Sequence, residues 1–293
     1  FERRKYMLPT LELQNLAYNL FNVFGAVSVF LFNLTQLNRK KQLLSHAALV
    51  AHKHFVEKSE KGKMPKFLTS ITFWAVVDTI VIYAFHYGVM PTLNVNFGSS
   101  IRTGANYYGL LFFMPIILIF ACYLLWVNPL KQIDLITPSF PLGLFFSKIG
   151  CFGAGCCQGY VWSGGLYNYK TGYTEFPLQL VEAGVALLLF IFLLIWRKKA
   201  KLGTLFPTYV ILYSVIRFFT DFLSDRDAII GPFNIYHILS VAGVIIGIIE
   251  LLIVLEYGEK IQTFFAETPY GYFINIIKKI KEKPEKKKAK SKK

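Results

Sequence analysis

The class of fold is indicated by the apolar stretch LQLVEAGVALLLFIFLLIW (Leu178–Trp196) and by the basic cluster Arg197-Lys198-Lys199 that directly follows it. The apolar run is long enough to cross a bilayer as a helix, which takes about 20 apolar residues. The basic cluster after it marks the cytoplasmic side, because Lys and Arg are enriched in cytoplasmic loops. The stretch therefore predicts a transmembrane helix that begins outside the cell and ends inside it.

The whole chain combines an apolar composition with a strong positive charge. Its 293 residues are 54% hydrophobic and only 17% charged, yet the formal net charge is +15. Soluble domains are nearer a quarter charged, so the composition excludes a disordered chain and a simple soluble enzyme. Two classes remain, an integral membrane protein with basic cytoplasmic loops and a nucleic-acid binder with an unusually apolar body.

Six other segments have the length and composition of membrane spans. With the stretch above, the candidates are residues 15–34, 67–90, 107–128, 133–152, 178–196, 204–223 and 235–257. Pro138 and Pro141 interrupt the fourth, so we expect a broken or partly re-entrant helix inside the bundle. The sequence thus predicts an all-α integral membrane protein with seven transmembrane helices.

The positions of the basic residues give the orientation. Of 32 Lys and Arg residues, 24 lie in the alternate segments 35–66, 129–132, 197–203 and the tail after residue 257. This places the N-terminus outside and the C-terminus inside, and it argues against a nucleic-acid partner. We expect a seven-span domain over residues 1–258, a Lys-rich cytoplasmic tail over 259–293 that is disordered at its end, and no separate cleaved signal peptide.

Polar residues inside the spans lie at one level, in the outer leaflet. A charge at the centre of a span costs roughly 2.5–3.5 kcal/mol and so indicates function. Arg217 and Asp221 share a helical face at spacing i,i+4, with Tyr213 one turn earlier, while Asp78 does not fit the layer. The pair is either a structural buried ion pair or part of a site where Arg217 and Lys148 bind an anionic head group.

The segment Gly150–Gly159, with sequence GCFGAGCCQG, combines four glycines with three cysteines. Its glycines, among them Gly155 and Gly159, permit a tight loop whose N–H groups can bind an anion. The cysteines allow three interpretations: a zinc site with His237 as the fourth ligand, a disulfide, or small residues that let helices approach closely.

The order of these motifs resembles that of the bacterial prolipoprotein diacylglyceryl transferases. The family signature G-R-x-G-N-F-x-N-x-E-x-x-G is similar to Ser147–Gly159, and the family's P-x-Q-L-Y-E segment is similar to Pro177–Glu182. A later pattern with two tyrosines and an R-F pair is similar to Gly203–Arg226. The resemblance covers about residues 15–257, and Tyr18 and Leu239-Ser240 echo positions in the first and last spans of the family.

Four of the departures from the family pattern bear on the chemistry. The signature arginine is Lys148, its first asparagine is Cys151 and its glutamate is Cys156. The histidine often proposed as the family's base is replaced by Tyr107. The resemblance is therefore to a divergent, cysteine-containing branch.

The resemblance implies transfer of a diacylglyceryl group from phosphatidylglycerol to the lipobox cysteine in the signal peptide of a prolipoprotein, at the outer face of the bacterial cytoplasmic membrane. It implies no metal and no cofactor. The expected catalytic residues are Arg217, Lys148, Tyr107 and His237, with Glu182 and Asp221 as further candidates for the base. The expected substrate-binding residues are Tyr18, Gln179, Glu182, Tyr213, Asp221, Arg226, Gly155 and Gly159.

Two other functions stay open at this point. One is a related lipid or thiol transferase with a different acceptor, in which Cys151, Cys156 or Cys157 is the nucleophile, since a loop at a helix end can lower a thiol pKa. The other is a non-enzymatic membrane transporter, which would need polar residues on the inner side of the membrane as well.

Overall fold

The computed structural model describes residues 11–39, 73, 107–125 and 127–266. The predicted second span, 67–90, lies outside this part of the chain apart from one residue, as does Asp78. The described elements are, in order, α1 (Leu11–Arg39), α2 (Tyr107–Leu125), α3 (Pro129–Ile136), α4 (Ser139–Gly153), β1 (Val161–Tyr167), β2 (Thr174–Glu175), α5 (Leu178–Trp196), α6 (Leu205–Thr220) with a short 3-10 turn (Asp221–Leu223), and α7 (Ile235–Ala266).

Within the described part of the chain, five helical segments are long and apolar enough to cross a membrane. They are residues 16–33, 129–153, 178–196, 205–223 and 235–265, and α2 carries a shorter apolar stretch over 107–120. Large apolar side chains such as Ile116, Leu188 and Phe219 are more than 60% exposed on the outside of the bundle. Apolar surface of this kind suits a lipid surrounding, so the fold is that of a mostly helical protein, consistent with a membrane protein.

The predicted fourth span is indeed interrupted, at a position that the sequence explains. Asn128 caps α3 by accepting hydrogen bonds from the N–H groups of Leu130 and Lys131 at 2.9 and 3.3 Å. Helix α3 then ends before Pro138, which has no N–H to continue the ladder. Pro141 lies in the first turn of α4, where a missing N–H breaks no helical bond, so only the first proline interrupts the helix.

Small residues let the helices approach each other closely. On α4, a Cβ added at Gly150 would lie 3.3 Å from the Cβ of Phe21 on α1. On α7, a Cβ added at Gly243 would lie 2.2 Å from Oγ of Ser214 on α6. Such contacts are typical of membrane helices, which associate through van der Waals packing rather than the hydrophobic effect.

The prediction of an all-α fold is wrong for the segment between α4 and α5. Strands β1 and β2 form an antiparallel hairpin with paired residues Tyr167 and Thr174, and its register shifts between Val161 and Leu166. The connecting turn closes through hydrogen bonds from Asn168 N to Tyr173 O and from Gly172 N to Asn168 O, both 2.8 Å long. The segment is rich in aromatic residues, which favour strands, but it is too short and irregular to give a clear alternation.

The expected boundary after residue 258 also falls inside a helix, since α7 continues to Ala266. The tail beyond that residue lies outside the described part of the chain.

Candidate active site

A buried carboxylate joins two cations from neighbouring helices. Glu182 on α5 forms ion pairs with Lys148 on α4 and with Arg217 on α6. Glu182 and Arg217 are each only 6% exposed. The sequence predicted that the two cations meet, and the structure adds that Glu182 lies between them.

A second carboxylate fixes the other side of Arg217. Nη2 of Arg217 donates to Oδ1 of Asp221 at 2.7 Å, which is the i,i+4 pair expected from the sequence. The same oxygen also accepts from Arg226, and the Arg226 guanidinium stacks over the ring of Tyr236 at 4.2 Å. The Arg217 guanidinium lies 5.3 Å from that ring, within the range of a cation–π contact.

The cluster carries an excess of positive charge. Lys148, Arg217 and Arg226 provide three cations against the carboxylates of Glu182 and Asp221, so one positive charge is left over. A cluster with this balance attracts one further anion. Tyr236 is the part of it that the sequence analysis missed, although it immediately precedes the polar residue His237 in the last span.

A cleft opens beside the cluster between α4, α5 and α6. Its polar end contains Lys148, Glu182, Arg217, Tyr213 and Thr220, and its apolar part is lined by Leu144, Val185, Ala186, Leu189 and Ile216. Leu189 lies seven residues beyond Glu182 on α5, which corresponds to about 10 Å along the helix. The cleft therefore combines a site for an anion with a wall for an apolar chain.

Tyr107 belongs to a group of tyrosines next to this cleft. Its hydroxyl is 2.5 Å from the hydroxyl of Tyr209, and its ring packs 4.9 Å from that of Tyr213. Tyr209 is fully buried, so the Tyr107 hydroxyl points into the protein core. Of these three tyrosines, only Tyr213 is among the described residues that line the cleft.

His237 is near the carboxylate oxygen of Asp221 that Arg217 does not bind. Its Nδ1 is 3.9 Å from Oδ2 of Asp221 and accepts a hydrogen bond from the backbone N–H of Asn234 at 3.2 Å. Its ring is 2% exposed and packs against Phe218, Phe222 and Phe233. The lone pair of Nδ1 is thus occupied, and the imidazole is enclosed by aromatic rings rather than open to the cleft.

The glycine residues of the predicted anion-binding loop have a structural role, because they allow close packing of the loop. Gly155 has a φ of +63°, and its N–H donates to Phe152 O. A Cβ at Gly155 would lie 2.7 Å from Oδ1 of Asn168, and one at Gly159 would lie 2.8 Å from two backbone carbonyl oxygens. The Gly159 N–H donates to Phe176 O. These N–H groups are engaged within the chain, contrary to the expectation that they meet a substrate anion.

The residues predicted around this loop hold it in place. Nε2 of Gln179 donates to the carbonyl of Cys156 at 2.6 Å, so Gln179 ties α5 to the loop. The backbone of Tyr18 on α1 packs against Gly150. Tyr18 is thereby brought to the loop end of α4, with 38% of its surface exposed.

The three cysteines of the loop gather at one point. The Sγ atoms of Cys151, Cys156 and Cys157 all lie within 4.8 Å of one another, as free thiols. Cys151 is buried, Cys156 half-buried and Cys157 exposed. The pKa of Cys157 is lowered because Cys151 and Cys156 donate hydrogen bonds to its thiolate. His237, the fourth ligand considered from the sequence, packs instead among the phenylalanines.

Comparison with known proteins agrees with the motif resemblance. The family model described as prolipoprotein diacylglyceryl transferase matches residues 14–253. A phosphatidylglycerol–prolipoprotein diacylglyceryl transferase of Campylobacter hominis is 33% identical over 168 residues, which is 55% of this chain and 60% of that protein. The protein of the same name from Clostridium tetani is 34% identical over 128 residues, covering 41% of this chain and 51% of its own length.

A third relative of that name, from Chlorobaculum tepidum, is 38% identical over 111 residues, or 36% of this chain and 38% of that protein. The chain thus spans between 38% and 60% of the length of these three relatives. The family model, by contrast, extends over most of the chain, from the first predicted span to the last. The chain belongs to the prolipoprotein diacylglyceryl transferase family.

Proposed function

We propose that this protein transfers a diacylglyceryl group from phosphatidylglycerol to the lipobox cysteine thiol of a prolipoprotein. The observation that carries the proposal is the cleft between α4, α5 and α6. Its cationic end matches the lipid phosphate, and its apolar wall along Leu144, Val185 and Leu189 matches an acyl chain. Family membership and the names of the relatives support the same reaction.

The topology proposed from the basic residues places the reaction on one side of the membrane. The five apolar segments, together with α2 and the predicted span 67–90, make seven crossings, with the N-terminus outside and the C-terminus inside. In this orientation the cluster around Arg217 lies in the outer leaflet of the bacterial cytoplasmic membrane. The apolar part of the cleft then runs towards the middle of the bilayer, where the lipid tails are.

Binding of the lipid would exchange one anion for another. In the free protein, Glu182 forms ion pairs with both Lys148 and Arg217. A phosphate diester entering the cleft competes for the same two cations, and Arg217 binds it through its planar fork while Asp221 keeps the guanidinium in position. Because the carbon–oxygen bond breaks with charge growing on the phosphate, these cations stabilise the transition state more than the substrate.

The displaced Glu182 is the group we assign as the base. It faces the cleft, whereas the Tyr107 hydroxyl is bonded to Tyr209 and the His237 ring is enclosed by phenylalanines. Loss of its two cation partners frees the carboxylate to accept a proton. An ordinary Glu nevertheless differs from a thiol by about four pKa units, or about 5.7 kcal/mol, so the thiol itself also needs activation.

The chemical step forms a carbon–sulfur bond, breaks a carbon–oxygen bond and moves the thiol proton to the carboxylate of Glu182. The lipobox thiol gives up its proton, its sulfur attacks the glycerol carbon that carries the phosphate, and the carbon–oxygen bond breaks. Glycerol phosphate leaves with the electron pair, and a thioether remains on the peptide. Tyr213 lines the path of the lipid, Arg226 holds Asp221, and Tyr18, Gln179, Gly155 and Gly159 shape the outer end where the signal peptide enters.

A direct test uses the purified full chain in phosphatidylglycerol nanodiscs with a synthetic lipobox peptide. We expect the peptide to gain the mass of one diacylglyceryl group. A peptide with serine in place of the cysteine is the control and should stay unmodified. Absence of a mass gain, in conditions where another member of the family modifies the same peptide, would exclude the proposed reaction.

A further inference from the structure

The three cysteines of the loop have no part in the reaction as described above, yet they form a compact group. Their sulfur atoms lie within 4.8 Å of one another. Thiolates that share a tetrahedral Zn²⁺ at about 2.3 Å from the metal are about 3.8 Å apart. The sulfurs of Cys151, Cys156 and Cys157 would therefore need to move together by only about an ångström to share one cation.

The backbone of the loop holds this arrangement from both sides. Cys156 N donates to Cys151 O at 3.1 Å, and Gln179 binds the carbonyl of Cys156 at 2.6 Å. Cys157 has a φ of +58°, the one non-glycine residue with positive φ in the described part of the chain. Residues other than glycine rarely adopt this backbone conformation. The loop thus directs all three sulfurs to one point against an unfavourable local conformation.

The surroundings leave room for a fourth ligand. Cys151 is buried at the end of α4, but Cys157 is exposed, so the group of sulfurs is closed on one side and open on the other. Three thiolates around a divalent cation carry a net negative charge. Lys148, which lies one turn before Cys151 on α4, is a nearby cation that offsets it.

We propose that Cys151, Cys156 and Cys157 form a three-thiolate site for one soft cation, Zn²⁺ in the first instance, with an open fourth position. Soft thiolate ligands select Zn²⁺ or Cu⁺, and Zn²⁺ prefers four ligands. This site departs from the expectation that the protein binds no metal.

The open fourth position is the site where the lipobox thiol binds, a role that rests on the proposed function. Cys151 follows Lys148 by one turn of α4, so a ligand bound there lies beside the cations that receive the phosphate. A lipobox thiol that takes the fourth position is deprotonated on binding and its proton passes to Glu182 or to water. The cation thereby supplies the thiol activation that a carboxylate base lacks, and the metal-bound sulfur attacks the glycerol carbon as described above.

Metal binding is measured on the full chain in detergent, purified without chelator and reconstituted with Zn²⁺. We expect one Zn²⁺ per chain. Single Cys→Ala variants at 151, 156 and 157 should weaken binding by more than the roughly 10–100-fold that loss of an outer-shell partner causes. The matched control is Cys122→Ala in the core of α2, which should bind Zn²⁺ like the unchanged protein. Equal binding by all four variants, or a native intramolecular disulfide in the mass spectrum, would overturn the site.

Replacing Zn²⁺ by Co²⁺ tests the open position separately from transfer activity. We expect thiolate charge-transfer bands that the three loop variants lose, and a change of the visible bands when a lipobox peptide is added but not its serine form. An unchanged spectrum refutes the role of the fourth position. Full transfer activity in the metal-free protein refutes the site's role and leaves the proposed function standing. A metal-loaded protein without transfer activity contradicts the proposed function and leaves the site.

Discussion

Replacement of Glu182 by Gln removes one negative charge without changing the shape of the side chain, and its consequences follow from the two ion pairs. In the free protein this carboxylate forms ion pairs with both Lys148 and Arg217. Removing one partner of a buried ion pair costs roughly 3–5 kcal/mol of stability. Because Arg217 keeps its 2.7 Å bond to Asp221, we expect the lower end, about 3 kcal/mol.

The kinetic effects of Glu182→Gln should have opposite signs. The lipid phosphate no longer displaces a carboxylate from the two cations, so the KM for phosphatidylglycerol should fall by about tenfold, or about 1.4 kcal/mol. The loss of the base should lower kcat by roughly 10²–10⁴. Both parameters come from transfer rates at varied phosphatidylglycerol content in nanodiscs, and the unfolding free energy comes from denaturant titration in detergent.

Glu250→Gln is the matched control for Glu182→Gln. Glu250 is half-buried on α7 and lies 13 residues after His237, about 20 Å along the helix. We expect its kcat and KM to equal those of the unchanged protein. A raised KM for Glu182→Gln with kcat unaltered would contradict the reasoning, because it would make Glu182 a direct ligand of the lipid rather than its competitor and the base.

Three further substitutions test other parts of the site. Arg217→Lys keeps the charge but loses the planar fork, and should lower kcat by roughly 10²–10³. Arg197→Lys, at the C-terminal end of α5, is the control that should be unaffected in the same transfer assay. Tyr107→Phe should change kcat by less than about threefold, whereas a loss of 10²-fold or more would make Tyr107 the base. Gly155→Ala should destabilise the protein by at least about 1–2 kcal/mol in thermal unfolding, because its φ is +63° and its Cβ would meet Asn168. Gly184→Ala, with open space around it, should not be destabilising, and equal losses for the two would refute that explanation.

The sequence predicted the helical part of the fold well, because apolar length is a local property. The span 178–196 coincides with α5, and the break near Pro138 is where α3 ends. The hairpin between β1 and β2 was missed because it is held by contacts with other parts of the fold, such as the bond from Tyr160 N to Leu223 O in the turn after α6. Those contacts link residues far apart in the chain.

The structure brings together charged residues that the sequence singled out, but only part of their pairing follows from the sequence. The i,i+4 spacing of Arg217 and Asp221 gave their ion pair directly. That Glu182 joins Lys148 and Arg217 depends on the relative rotation of three helices, which no local pattern encodes. His237 has a residue type that is suitable for a base. Its ring, however, is enclosed by three phenylalanines that come from α6, from the turn after it and from the loop before α7.

Diacylglyceryl transfer by this protein can be tested by following both products of one reaction. Phosphatidylglycerol labelled separately in its glycerol head group and in its acyl chains is incubated with the full chain and a lipobox peptide. We expect one labelled glycerol phosphate to be released for each labelled diacylglyceryl group that becomes attached to the peptide cysteine. Release of head group without modification of the peptide, or transfer of an acyl chain alone, would contradict this expectation.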